Sequence, residues 1–285
     1  MLKYRLIFGT LLAGFFIFIV IFGGWLDGSL TASTTDDKPL QGTILAILLA
    51  LLTIPAQMEL AKLAKTKNIR IFLPVTIPAS ILFALSWYIL QFLPISGGNY
   101  TNSIAAGCLF ALFIYQYKRF GTDGVLVNCG ASVFSVIYLG VLSSFVLAVY
   151  LEFGLWHLLM AVFTIKMSDI GAYTIGKIFG KHKFSPKISP KKTWEGMAGA
   201  VGAASLTAVA FGQICDIMDW KLAVAFGVCF AFLGQLGDLA ESMIKRDAES
   251  KDSSTSIPGF GGILDVIDSP LAAAVCAYWF FMLTA

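Results

Sequence analysis

The sequence predicts an all-α, polytopic integral membrane protein of about nine transmembrane helices, and three observations carry that reading. Of the 285 residues, 58% are hydrophobic and 13% charged, with a mean hydropathy of +0.81. A soluble domain carries about a quarter charged residues, so this much apolar surface calls for lipid as solvent. Apolar runs of spanning length recur along the chain, each about 20 residues, enough for roughly 30 Å of hydrocarbon. They cover about 5–26, 42–61, 71–93, 101–117, 129–150, 154–176, 197–214, 221–244 and 262–283. Finally, the basic residues divide almost entirely to one side of these runs.

The first run follows Lys3 and Arg5, as in a signal peptide, but continues to Trp25 without a small-residue cleavage site; a retained span is expected. The second holds Pro55 and ends near Glu59, which is expected to snorkel to the interface or pair with Lys62 or Lys65. Pro74 and Pro78 fall in the third and can kink it. Little chemistry falls on residues 1–150, which read as a five-span region forming a lipid-facing wall or the contact of a homodimer. Residues 151–285 form a four-span region with two polar loops, 177–197 and 245–261. Its sixth run carries Lys166, Ser168 and Asp169. In its seventh, Gly196, Gly199 and Gly202 are interleaved with alanines, as in close helix packing.

Alternating the nine spans places Lys3, Arg5, Lys62, Lys65, Lys67, Arg70, Lys118, Arg119, Lys177, Lys181, Lys183, Lys187, Lys191, Lys192, Lys245, Arg246 and Lys251 on one side. Only Lys38 and Lys221 fall on the other, and Lys166 lies within a span. The positive-inside rule then puts the N-terminus in the cytoplasm and the C-terminus outside. Trp25, Trp156, Trp220 and Trp279 collect at the outer interface, as an aromatic belt should. Cys108, Cys129, Cys215, Cys229 and Cys276 have no metal or redox spacing and read as small buried thiols. His157 and His182 lie apart and read as incidental.

The most informative stretch runs from Gly237 to Ser269, where Asp238, Glu241, Asp247, Glu249, Asp252, Asp265 and Asp268 stand with Lys245, Arg246 and Lys251. Asp238, Glu241 and Ser242 share one helical face by their spacing, and Asp265 and Asp268 repeat that spacing on the next helix. With spans 6 and 8 running inward and span 9 outward, these four acids and Asp169 lie roughly 5–15 Å below the cytoplasmic surface. Acids at that depth need the protein interior, a wet cavity or a metal. Carboxylates from three helices beside a Gly/Pro/Ser/Lys loop suit a divalent cation next to a phosphate. Pairing with Lys166, Lys245 and Arg246 is the plainer alternative, above all for Glu241. In the other loop, Ser189-Pro190-Lys191-Lys192-Thr193 packs hydroxyl, ammonium and backbone donors just before a helix, which suits a polyphosphate without being a P-loop.

Ser242, Lys245, Arg246, Lys251, Asp252, Ser253, Pro258, Gly259, Gly261, Gly262, Asp265, Asp268 and Ser269 resemble, in order and spacing, the signature of the phosphatidate cytidylyltransferases. A second block, Asp169 to Gly196, resembles that family's other polar segment. Phe260 and Val266 depart from the pattern, where the family has His and Arg. The resemblance implies transfer of the cytidylyl group of CTP to phosphatidate, giving CDP-diacylglycerol and pyrophosphate in phospholipid biosynthesis. It implies Mg²⁺ held by Asp238 and Asp265, with Asp268 a direct or indirect partner, Asp169 a further candidate and room for a second cation. Lys192 is expected at the reaction centre, and Ser189, Lys191, Lys192, Thr193, Lys245, Arg246, Lys251 and Asp252 on the substrates. The expected partners are CTP, phosphatidate and the bilayer, with no nucleic acid, and the expected location is the cell membrane with the site facing the cytoplasm. A CTP-dependent lipid kinase could use similar parts; a secondary transporter could use buried acids and kinked spans, but has no need of the Ser-Pro-Lys-Lys-Thr loop.

Overall fold

The structure, a computed structural model, describes residues 2–30, 38–250, 253–254 and 261–284, with the side chains of 2–7 left aside. Among the described residues every regular element is helical: α1 (Leu2–Asp27), α2 (Thr43–Thr66), α3 (Leu73–Ala84), α4 (Ser86–Ile89), α5 (Gly97–Phe120), α6 (Val125–Val136), α7 (Leu142–Phe153), α8 (Leu155–Phe179), α9 (Trp194–Ile214), α10 (Trp220–Asp247) and α11 (Leu264–Thr284). A π-helical segment, Ile137–Val141, joins α6 to α7 into one continuous rod. Seven helical stretches are long and apolar enough to cross a membrane: α1, α2, the α6–α7 rod, α8, α9, α10 and α11. The chain is therefore a multi-pass membrane protein. The expected third span is broken, with α3 a shorter apolar helix that gives way after Ala84 to the single turn of α4. Helix α5, which begins on a polar Gly-Gly-Asn-Tyr-Thr-Asn-Ser turn, is not among the seven.

The breaks between helices follow from local chemistry. Gly121, Gly124 and Gly154 have positive φ (59°, 64° and 94°) where α5 passes to α6 and α7 to α8, a conformation that costs glycine nothing. Ser96 accepts a hydrogen bond from the amide of Asn99, and Thr193 one from that of Gly196, capping α5 and α9. Pro74 stands in the first turn of α3, where its missing N–H is harmless, whereas Pro55 and Pro270 lie inside α2 and α11.

Two compact units divide the chain. The first comprises residues 1–151 together with 248–266. In it α3 packs on α2, α5, α6 and the π segment. Gly140 lies so close to Ser80 that a Cβ would come within 2.8 Å of its Cα. Phe72, Leu112 and Cys129 form one buried cluster, and Arg70 covers the Phe120 ring at 4.3 Å. The second unit comprises residues 152–247 and 267–285, where α9 lies along both α8 and α10. Gly171 on α8 meets Gly199 on α9 without space for a side chain on either, and Gly227 on α10 presses likewise on Ser205. Gly202, by contrast, faces open space, so the small-residue stripe works through Gly199 and Gly196, which packs on α8.

Candidate active site

In the second unit three carboxylates converge. Asp238 and Glu241 on α10 and Asp268 on α11 each offer an oxygen, all within 4.8 Å of one another. Glu241 and Asp268 are 1% and 3% exposed, while Asp238 keeps partial access to solvent. The spacing of Asp238 and Glu241 puts both on one face of α10, and the group closes where α11 brings up Asp268. Lysines balance part of the charge. Lys192 reaches Asp238 at 2.5 Å and donates to the carbonyl of Gln235 at 3.0 Å, and Lys245 reaches Glu241 at 2.5 Å from one turn further along α10. Asp268 accepts from the amide of Ser269 at 2.6 Å and from its hydroxyl at 3.2 Å. Asp169 on α8 accepts from Gln235 at 3.4 Å, and the charges acting on it are those of Lys166, Asp268, Asp238 and Lys192. The Ser168 hydroxyl beside it is fully buried, with no hydrogen-bond partner among the described residues. Hard carboxylate oxygens this close together, two of them buried, fit a divalent cation such as Mg²⁺.

The loop between α8 and α9 is a braced hairpin. Lys183 and Thr193 pair as an isolated antiparallel bridge, and the amide of Trp194 donates to His182 O at 2.9 Å. Glu195 turns back to accept from the amides of Lys181 and His182 and lies 2.6 Å from the His182 ring. Thr193 is buried, and its hydroxyl is the N-cap of α9. Ser189 closes the tip through its backbone, accepting from Lys192 N at 3.1 Å, and Lys191 is exposed there. Arg246 donates to Ile188 O at 3.2 Å. Of the expected phosphate-binding set, Lys192 and Lys245 thus stand beside the carboxylates, Lys191 lies on the loop, Arg246 reaches the loop from the last turn of α10, and Thr193 shapes the helix start. Lys251 and Asp252 lie outside the described residues, as does Phe260.

Asp265 is held differently. In the first unit its Oδ2 accepts from Ser253 N (3.0 Å), Ser253 Oγ (2.7 Å) and Gly262 N (2.7 Å). Beside it stands Glu59 of α2, 3% exposed. Its Oε1 accepts from Ser254 Oγ (2.7 Å) and Ile263 N (3.1 Å), and its Oε2 from Ser253 Oγ (3.0 Å) and Leu264 N (2.9 Å). Glu59 therefore neither snorkels nor pairs with Lys62 or Lys65; it satisfies amides at the start of α11 that have no intrahelical partner. Gly262 passes so near that a Cβ would strike both the Glu59 carboxylate and the Ser253 hydroxyl. No sequence signal marks this role, because Glu59 and Leu264 are 205 positions apart.

The sequence profile of the Cytidylyltransferase family matches residues 3–284. The phosphatidate cytidylyltransferase of Mycobacterium bovis is 37% identical over 155 residues, which are 54% of this chain and 50% of that protein. That of Staphylococcus haemolyticus is 31% identical over 232 residues, 80% of this chain and 86% of the relative, and that of Haemophilus influenzae 41% identical over 133 residues, 45% and 46%. The chain spans about half the length of the mycobacterial relatives it matches. With a match that runs almost from end to end and a buried carboxylate group at its polar centre, the chain belongs to the cytidylyltransferase family.

Proposed function

We propose that the protein transfers the cytidylyl group of CTP to phosphatidate, giving CDP-diacylglycerol and pyrophosphate. The observation that carries this reading is the carboxylate group of Asp238, Glu241 and Asp268 with its two lysines, inside a chain whose relatives bear the name phosphatidate cytidylyltransferase. An oxygen of the lipid phosphate attacks the α-phosphorus of CTP in line. One P–O bond forms, the bond from that phosphorus to the bridging oxygen breaks, and pyrophosphate leaves with that electron pair. No protein nucleophile is needed, and catalysis rests on positioning and charge neutralisation. Phosphatidate is already anionic, so the reaction does not depend on a histidine at position 260.

Asp238 and Asp268 would hold Mg²⁺, with Glu241 joining them; Asp265, which the signature implies, and Asp169 complete the candidates. When bound, the cation supplies positive charge to the triphosphate oxygens. Lys192 and Lys245, which reach Asp238 and Glu241, would supply positive charge to the phosphate oxygens of the substrate. Ser189, Lys191 and Arg246 line the approach of CTP, Thr193 orders the loop that carries Ser189 and Lys191, and Lys251 and Asp252 join the substrate contacts as the signature implies.

Nine crossings, with the N-terminus in the cytoplasm and the C-terminus outside, fit the charge division, with α3–α4 and α5 serving as the third and fourth. The first five spans then form a lipid-facing wall or the contact with a second copy. The site faces the cytoplasm of the cell membrane, where CTP arrives from water and phosphatidate from the side.

The test is to supply pure protein with phosphatidate, Mg²⁺ and CTP labelled at the α- or the γ-phosphate. Transfer places α-label in the lipid and γ-label in pyrophosphate. Lipid bearing γ-label, or no labelled lipid from folded protein, overturns the reading.

A further inference from the structure

We infer that Glu59 is a positioning residue for the reaction: through both its oxygens it holds Ser253, Ser254 and the first amides of α11, so that the second helix sets the geometry around Asp265. The inference rests on the cytidylyl-transfer reading and deepens it. Within the first unit α2 and its C-cap hold two places, the residues around Asp265 and the pair Ala248–Glu249. Glu59 receives two hydroxyls and two backbone amides, while Thr66 donates to Ala248 O at 3.3 Å and Lys67 pairs with Glu249 at 2.8 Å. Glu59 and Thr66 are two helical turns apart, so one face of α2 carries both grips. Buried Leu63 lies on that face between them.

The bonding pattern fixes what residue 59 must be. Each oxygen of Glu59 accepts one backbone amide, Ile263 on Oε1 and Leu264 on Oε2. The serine hydroxyls can rotate to other acceptors, but the amides cannot. A glutamine offers one acceptor oxygen and one NH₂ group, so either way round it turns a donor toward one of these amides. Asp265 shares Ser253 Oγ with Glu59 and also accepts from Gly262 N, so a shift at Glu59 passes directly to Asp265. Small displacements of reacting geometry are costly: about 1 Å can lower turnover on the order of a hundredfold.

The experiment uses the full chain in phosphatidylcholine vesicles containing phosphatidate, with Glu59→Gln and Glu59→Asp measured per folded molecule. Glu59→Gln should lower kcat by about tenfold or more while the KM for CTP moves by less than about threefold. Hydrogen exchange at Ile263 and Leu264 should quicken by about tenfold or more while the amides of α6 and α9 keep their rates. Glu59→Asp, with both acceptors on a shorter stem, should recover part of both losses. If Glu59→Gln does not fold, Glu59→Asp against wild type carries the same two measurements. Unchanged exchange at the two amides, or wild-type kcat in the folded variant, overturns the inference. Absence of α-labelled lipid from wild-type protein instead overturns the proposed reaction.

Discussion

At the scale of single residues, two acids the sequence singled out have parted company. Asp268 meets Asp238 and Glu241, whereas Asp265, three positions earlier, accepts hydrogen bonds from Ser253 and Gly262. Asp238→Asn and Asp268→Asn keep size and remove charge, so each should lower turnover by about a hundredfold or more and raise the Mg²⁺ needed for half-maximal rate. An unchanged Mg²⁺ dependence in a folded variant removes that residue from the cation site. The spacing along α10 made the Asp238–Glu241 pairing legible, since both lie on one helical face. The ion pair between Lys192 and Asp238 was not legible, because it depends on how a loop 46 positions earlier (238 − 192) folds back. Outside the spans, the Lys67 ammonium holds the Glu249 carboxyl below its ordinary value. The pair therefore adds stability above the ordinary glutamate pKa and loses it as pH falls through the lowered one. Both partners are solvent-accessible, so the contribution is small. In Lys67→Met the Glu249 carboxyl should titrate back up toward the ordinary glutamate range, as read by carboxyl NMR; an unmoved titration contradicts the pairing.

At the scale of elements, the helices were legible where long apolar runs end at glycines with positive φ, as at Gly121 and Gly154. The interruption after Ala84 was not, because Leu85, Trp87 and Ile89 continue the apolar run without a glycine or proline to mark the break. Periodicity also pooled Gly199 with Gly202, which the packing separates. Gly171→Val and Gly199→Val force a side chain into the facing backbone and should destabilise by about 1–3 kcal/mol or more. Gly202→Ala adds a methyl to open space and helix propensity to α9, so it should be neutral or stabilise by up to about 1 kcal/mol. Thermal unfolding in detergent separates the two classes; equal loss from all three would mean that α8 and α9 do not meet through Gly171 and Gly199.

At the scale of the whole molecule, the open count of crossings is confined to residues 73–120. Whether α3–α4 and α5 cross or turn back together, they return the chain to the side it left, so the assignment of every later loop is the same. Cysteines at Gly98 and Ser185, in a background without the native cysteines, distinguish the cases. Gly98→Cys should react with an impermeant thiol reagent only from outside, and Ser185→Cys only from the cytoplasmic side. Reaction of Gly98→Cys from the cytoplasmic side would reduce the crossings to seven, and reaction of Ser185→Cys from outside would invert the orientation.

The bonds from Glu59 to Ile263 and Leu264 also have a meaning in time. A ribosome adding about 5–20 residues per second needs roughly 10–40 s to go from residue 59 to its partner 205 positions later. Throughout that interval the newly inserted α2 carries a carboxylate whose eventual donors do not yet exist, and it must stay hydrated or protonated to remain in the bilayer. Locking of the loop is thus among the last events of biogenesis, and a nascent chain halted before α11 holds the clamp without what it clamps.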